Sequence, residues 1–142
     1  MSAKQICVPM KNKPGQLHQV TEILKLEGVN IRAINVLADG EEAVVRMMVD
    51  DPELASNALA SGAISFYEED VIAVEVPDHP GGLHAVLGAL KAAEINVQQL
   101  YSYLGRSGSN AILILVADPL EEAKAVLRQN WVRVFDEEVY ER

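Results

Sequence analysis

Along this chain, stretches in which hydrophobic residues occupy every second position are followed by stretches in which they recur at helical spacing. Ile6 and Val8 point to one side of a short stretch, Gln5 to Met10, which predicts a strand, and Val71 to Val76 repeats that pattern. After each of these strands, apolar residues recur at helical spacing, first as Leu17, Val20 and Leu24 and then as Leu83, Val86 and Leu90. A strand followed by an amphipathic helix is therefore predicted twice.

The remaining apolar segments complete the same order in both halves. Turn signals at Asp39-Gly40 and Arg106-Ser107-Gly108 join two strands in each half into a hairpin. The predicted second strands are Asn30–Leu37 and Asn96–Leu104, the third strands Ala43–Val49 and Ala111–Ala117, and the fourth strands Ile64–Tyr67 and Val132–Phe135. Second helices are predicted to open at Pro52 and Pro119 and to run to about Ala60 and Arg128.

The two halves also share a phrase of sequence. Pro14-Gly15-Gln16-Leu17-His18 returns 66 positions later as Pro80-Gly81-Gly82-Leu83-His84, and Asn30-Ile31 returns as Asn96-Val97 at the same spacing. Such self-similarity is typical of a duplicated supersecondary unit. We therefore predict two domains, 1–70 and 71–142, each with the order βαββαβ. That order predicts an α+β fold of two tandem ferredoxin-like sandwiches, with their sheets joined side by side and the helices on one face.

The helix ends carry more specific expectations. Pro14 and Pro80 suit the first helical position, where the missing N–H would be unpaired anyway. Gly28 is expected just past the end of the first helix, where Glu94 replaces it in the second half.

Composition limits the possible partners. The formal net charge is −9, spread over both halves, so a nucleic acid or an anionic membrane surface is not an expected partner. Cys7 is the single cysteine, which excludes an intramolecular disulfide and fits a reducing compartment. Neither a membrane-spanning run nor a signal-peptide core is recognisable in the sequence, and we expect a soluble, cytoplasmic protein.

The repeated Pro-Gly phrase is also the candidate binding site. Backbone N–H groups at a helix N-terminus attract a carboxylate, and Gly15, Gly81 and Gly82 leave room for a ligand to approach the backbone. A plain helix cap is the alternative, with about equal weight. Asn12 and Asp78, two residues before each proline, could cap the helix or bind a ligand's ammonium group.

Each half has a strand, the motif Asn/Asp-x-Pro-Gly-x-Leu, an amphipathic helix and then Asn-Ile or Asn-Val. With these features, nearly the whole chain resembles two tandem ACT domains without an attached catalytic domain. The resemblance implies regulation by an amino acid held where two ACT units pair. In the serine-binding members, the ligand meets the asparagine before Pro-Gly and the asparagine that opens the second strand. A histidine four residues before the proline is part of that pattern, but Met10 and Val76 stand there in this chain.

The candidate ligand-binding residues therefore belong to the two loops and the two second strands. They are Asn12, Pro14, Gly15, Gln16, Leu17 and Asn30 in the first half, and Asp78, Gly81, Gly82, Leu83 and Asn96 in the second. The two sites need not be equivalent, because Lys11 and Lys13 flank the first loop whereas Asp78 and His79 lie in the second.

The expected function is that of a non-catalytic amino-acid sensor. Neither a metal nor a cofactor is expected, because no set of ligands has the required spacing. We expect a homodimer, since edge strands and small size favour pairing, and an enzyme or transporter of amino-acid metabolism as the regulated partner. The alternatives are a protein-interaction module without a ligand and, less favoured, an acylphosphatase-like enzyme, whose phosphate-binding arginine is missing from both loops.

Overall fold

The structure is a computed structural model that describes residues 2–142. By its internal contacts, the chain divides into a first unit, Lys4–Glu69, and a second unit, Asp70–Arg142 together with Ser2 and Ala3. The elements up to the middle of the chain are β1 (Ala3–Lys11), α1 (Gln16–Leu26), β2 (Ile31–Asp39), β3 (Glu42–Val49) and α2 (Pro52–Ser61). They are followed by β4 (Tyr67–Val76), α3 (Gly82–Ala92), β5 (Asn96–Ser107), β6 (Asn110–Asp118), α4 (Leu120–Gln129), β7 (Val134–Phe135) and a 3₁₀ helix (Glu137–Glu141). The α+β class and the repeated βαββαβ order are confirmed.

Each unit contains an antiparallel sheet. In the first unit β3 lies between β2 and β1, with Ile34 opposite Met47 on one side and Ile6 opposite Met47 on the other. In the second unit the order is β5, β6, β4, β7, with Leu115 opposite both Leu100 and Ile72. The strands β2 and β5 therefore end their respective sheets.

Both helices of a unit pack on the same face of its sheet. In the first unit, Val20 and Leu24 of α1 and Leu59 of α2 are buried against Val8 and Val45 of the strands. The second unit repeats this arrangement with Val86, Leu90, Leu127, Val74 and Leu115. Burial of these apolar faces is the main favourable term in forming units of this size.

The predicted fourth strands are wrong in their extent. Residues 64–66 are not in a strand, and β4 instead begins at Tyr67 and continues without a turn to Val76. In the second unit only Val134 and Phe135 pair with β4. The reason is that the backbone N–H groups of Ile64 and Val132 donate back to the preceding helices, to Leu59 and Leu127, and so cannot join a strand ladder.

The far face of the sheet in the first unit carries a buried polar group. Cys7 is fully buried, and its Sγ donates to Glu69 Oε1 at 3.1 Å. The Gln5 amide donates to the same oxygen. Burial, the hydrogen bond and the negative charge of Glu69 together raise the pKa of the Cys7 thiol to about 12. The thiol is therefore uncharged and unreactive at neutral pH.

Each of the four α-helices in residues 2–142 is followed by a residue with positive φ, and only one of these four residues is glycine. Gly28, as predicted, follows α1 with φ of 75°, whereas Ala63, Glu94 and Trp131 follow the other helices with φ of 59°, 58° and 64°. A left-handed conformation is costly for residues with a side chain, so these three positions are strained.

Replacement of Glu94 by glycine is therefore expected to stabilise the protein. Glu94 is exposed, so Glu94→Gly loses no packing and relieves the left-handed strain, for a gain of about 1 kcal/mol. Urea unfolding measures the change. The matched control is Ala92→Gly in the last turn of α3, which adds the same flexibility at a helical position and should lower stability by roughly 0.5–1 kcal/mol. Equal effects of the two changes would contradict this explanation.

A partly buried ion pair joins α4 to the segment after β7. Lys124 is 4% exposed, and its Nζ lies 2.7 Å from Asp136 Oδ1 and 2.9 Å from the Ser2 hydroxyl. Burial alone would raise the pKa of Asp136, but the hydrogen bond and the charge of Lys124, with Arg128, outweigh it and lower that pKa.

Stability is consequently expected to depend on Asp136 in acid. A carboxyl group whose pKa is lowered by folding stabilises the protein above its unfolded value of 3.8, and this contribution is lost as the pH falls through the folded value. Asp136→Asn should cost about 2 kcal/mol at neutral pH, measured by urea unfolding, and should flatten the loss of stability below pH 3.8. A variant whose stability falls in acid as steeply as that of the parent would show that other carboxyl groups dominate.

The helices are too short or too polar for a bilayer. Among residues 2–142, none combines the length and hydropathy that a membrane span requires.

Candidate functional site

The two Pro-Gly loops place glycine, not proline, at the helix start. Gly15 and Gly81 immediately precede the first helical residues and have φ of 89° and 90°, so the prediction that Pro14 and Pro80 occupy the first helical position is wrong. The prolines lie one residue earlier, in the turn. A left-handed residue is needed to turn the chain into the helix at this point, which is why glycine follows each proline.

Neither α1 nor α3 is capped by a side chain within residues 2–142. Asp51, in contrast, caps α2 by accepting the N–H of Leu54 at 3.1 Å. Asn12 and Asp78 therefore do not cap these helices. The first helical N–H groups, those of Gln16 and Gly82, donate to the Lys13 and His79 carbonyls, and no side chain accepts from the N–H groups that follow in the first turn.

Asn12 and Asp78 are both engaged with the neighbouring hairpin. The Asn12 amide donates to the Gly40 carbonyl at 3.0 Å, and its backbone N–H donates to Glu41 at 2.8 Å. Asp78 accepts from Arg106 at 3.3 Å, in an exposed ion pair. Sequence reasoning missed Arg106 because it belongs to the hairpin and not to the loop. The sequence signal for Arg106 was its position in the Gly-rich turn between β5 and β6, since β6 pairs with the strand that leads into the loop.

Asn30 and Asn96 lie at the opposite end of each unit. The backbone of Asn30 exchanges hydrogen bonds with Asp50, just beyond the end of β3, while Asn12 bonds at the other end of that strand. In the second unit Asn96 is opposite Asp118 at the far end of β6. A strand of eight residues spans roughly 26 Å, so one amino acid cannot touch both Asn12 and Asn30 of the same unit. The same separation applies to Asp78 and Asn96.

Leu17 and Leu83 differ in exposure despite their equivalent positions. Leu17 is partly buried against the core of the first unit, whereas Leu83 is exposed. Leu83 lines a cavity of about 500 Å³ beside the second Pro-Gly loop. Its other walls include Val76, Asp78 and Pro80 of β4 and the loop, and Ser102 of β5. We call this cavity the β5-side groove.

A second groove lies on the other side of each loop, toward the end of the second helix. In the second unit it has a volume of about 410 Å³ and is lined by Gly81 and Gly82 together with Trp131 and Arg133. The equivalent groove of the first unit has only about 190 Å³, and Gln16 forms part of its wall. Trp131 and Arg133 were not among the predicted site residues, since they follow α4 and lie far from the motif in sequence.

Gly82 has a packing role in addition to any role toward a ligand. A Cβ atom at this position would lie 2.2 Å from the carbonyl oxygen of Pro77, so only glycine allows α3 to approach the end of β4 so closely. Gln16, at the equivalent position of the first unit, shows that this approach is not required by the fold itself.

The two edge strands expose apolar side chains. Ile34, Val36 and Leu37 of β2 are exposed in the first unit, as are Leu100 and Leu104 of β5 in the second. Exposed apolar residues on an edge strand are typical of surfaces that pair with another chain.

Charges near the loops are more balanced than the sequence predicts. Lys11, which was expected to favour an anion, is bonded to Glu42 of the adjacent strand. His18 and His84 are exposed on the helix surfaces. No group of three or more His, Cys, Asp or Glu side chains within residues 2–142 is arranged to hold a metal ion.

Comparison with solved structures gives a close relative in fold. A protein from Bacteroides thetaiotaomicron is 28% identical, with a TM-score of 0.90 over 99% of this chain and 96% of that one. The regulatory subunit of aspartate kinase from Thermus thermophilus, in its ligand-free form, is 20% identical, with a TM-score of 0.63 over 92% and 91%. The corresponding subunit from Thermus flavus is 18% identical, with a TM-score of 0.58 over 92% of both chains. The latter two likenesses concern the fold. No curated protein matches the sequence.

The family comparison extends over nearly the whole sequence. A model described as an ACT domain pair matches residues 1–141, which include both Pro-Gly loops and all four helices. Two βαββαβ units, each with a glycine-initiated first helix, agree with that match. The chain belongs to the ACT domain pair family.

Proposed function

We propose that this protein is a non-catalytic regulator that binds an amino acid at an interface between ACT units, beside the Pro-Gly loops. The single observation that carries the proposal is the uncapped start of α3 beside the β5-side groove. Free N–H groups at a helix start stabilise a carboxylate, and a partly apolar cavity of about 500 Å³ has room for a small side chain.

The groove offers the two kinds of contact that an amino acid needs. Asp78 can attract an ammonium group, although its ion pair with Arg106 moderates the charge. Val76 and Leu83 provide an apolar wall, and Ser102 adds a hydroxyl group. Val76 stands where the serine-binding pattern has histidine, so we expect a ligand with a more apolar side chain than serine.

A second ACT unit is needed to complete such a site. Because Asn12 and Asn30, or Asp78 and Asn96, lie at opposite ends of one unit, a ligand that meets both kinds of residue must contact two units. The exposed apolar residues of β2 and β5 support pairing through these edges, and we propose a homodimer.

Regulation would follow from this shared site. A ligand held by two units stabilises the arrangement of units in which both sets of contacts are made. The size of this stabilisation is set by the difference between the ligand's affinities for the alternative arrangements. We propose an enzyme or transporter of amino-acid metabolism as the partner that responds, in the cytoplasm. Regulatory subunits of aspartate kinase are among the similar structures, which supports a regulatory role of this kind.

Ligand-dependent stability tests the proposal. A thermal-shift screen of the twenty amino acids should identify at least one that raises the melting temperature, because a ligand at a hundred times its Kd stabilises by about 2.7 kcal/mol. Asn30→Ala and Asn96→Ala together should abolish this shift. Asn57→Ala on the exposed surface of α2 is the matched control and should leave it unchanged.

The same screen distinguishes the alternatives. Absence of a shift with every amino acid at millimolar concentration would favour a protein-interaction module that has kept the fold and lost the ligand. A shift that survives both asparagine replacements would move the site away from the interface.

A further inference from the structure

The second unit contains a further cavity that shares Gly81, Gly82 and the start of α3 with the family motif, while its other walls are used by neither the motif nor the interface proposal. It lies between the start of α3 and the segment that follows α4, and has a volume of about 410 Å³. This volume is within the range of small-molecule sites. All its walls belong to the second unit, so that unit alone builds it. We call it the β7-side cavity.

The equivalent groove of the first unit shows what enlarges this cavity. Gln16 and Gln19 of α1 line the smaller groove, where Gly82 and Ala85 stand in the second unit. Replacement of two glutamines by glycine and alanine removes most of both side chains at the mouth. These smaller side chains, and the close approach of α3 to β4 that Gly82 allows, accompany the difference of 410 against 190 Å³.

Trp131 is the most unusual residue of this wall. It is the only tryptophan of the chain, it is 94% exposed, and it has φ of 64° at a position where glycine is favoured. Ala63 holds the equivalent position in the first unit. A large aromatic residue at this position introduces backbone strain and gains almost no packing within the chain. A contact with a ligand would account for its presence.

The cavity also carries two opposite charges. Arg133 Nη1 lies 3.7 Å from Glu75 Oε1 and 3.5 Å from Ser107 Oγ, and its guanidinium lies 4.6 Å from the centre of the Phe135 ring. These contacts fix the direction of a side chain that is still half exposed. Pro9 and Ser65 take the places of Glu75 and Arg133 in the first unit, so the charge pair is absent from the smaller groove.

From this arrangement we infer that the β7-side cavity binds an aromatic α-amino acid. Its carboxylate faces Arg133 and the uncapped start of α3, its ammonium group faces Glu75, and its ring packs against Trp131. A ligand with only one charge would satisfy half of the Glu75–Arg133 pair. The inference rests on the proposed amino-acid-binding function, but it places a ligand at a different site, complete in one unit.

Trp131 reports on its own cavity, because its fluorescence is that of a single tryptophan. Titration of the full chain with L-phenylalanine should give a saturable change in this fluorescence. Phenylpropionate lacks the ammonium group and phenylethylamine lacks the carboxylate, and each should bind roughly tenfold more weakly or worse, since a charged hydrogen bond contributes about 1.5–3 kcal/mol. Lack of a saturable change with phenylalanine, or equal binding of the three probes, would overturn the inference.

Two replacements test the walls of the cavity. Ala85→Gln introduces the residue of the first unit at an exposed helical position, where folding is not at risk, and should abolish the fluorescence change. Arg133→Gln should weaken phenylalanine binding at least about tenfold. The matched control is Gln19→Ala, which opens the groove of the first unit and should leave the titration unchanged.

The Asn96→Ala and Ala85→Gln variants distinguish failure of one proposed site from failure of the other. Phenylalanine binding that Asn96→Ala leaves intact and Ala85→Gln removes supports the β7-side cavity, whatever the result of the thermal-shift screen. Binding that Asn96→Ala removes and Ala85→Gln leaves intact overturns this inference and favours the interface site.

Discussion

The packing of two helices on one face of a small sheet is the constraint on which the site depends. A unit of about 70 residues has few other ways to bury apolar surface, so Val20, Leu24 and Leu59, with their counterparts in the second unit, must meet the strands. This packing fixes α1 and α3 along the sheet and holds their first turns at one end of it. The glycines at positive φ then turn the backbone sharply into each helix. Uncapped N–H groups at a defined place are therefore a consequence of core packing, and ligand binding can use them without altering the fold.

The same geometry separates the residues that the family pattern associates with one ligand. Asn12 contacts the hairpin at one end of β3, and Asn30 contacts Asp50 beyond the other end. Since a rigid strand lies between them, no local movement brings the two side chains together. In the proposed function, this separation links ligand binding to assembly, because a ligand that contacts both kinds of residue would favour an assembly of two units that presents them together.

The sequence predicted the order of elements well, because the period of apolar residues and the turn glycines are local signals. Its errors arose where backbone hydrogen bonds decide the structure. The N–H of Ile64 donates back to α2, so the strand begins only at Tyr67, and Gln16, not Pro14, occupies the first helical position of α1. For the site, the motif located both loops but could not reveal Arg106, Trp131 or Arg133. These residues reach the loops from other elements, and only the fold brings them near.

The two units match closely in the core and differ at the groove. Core positions match closely, as Val20 with Val86 and Leu24 with Leu90, because a change of volume there costs stability in either unit. Gln19 and Ala85, in contrast, are exposed, and either residue is compatible with the helix. Exposure alone would allow random drift at such positions. In the second unit, however, the changes act in one direction: small residues widen the cavity, while Trp131 and the Glu75–Arg133 pair add a ring and two charges to its wall. A strained tryptophan that gains little from packing is difficult to explain by drift, and it is the strongest reason to regard the two grooves as functionally different.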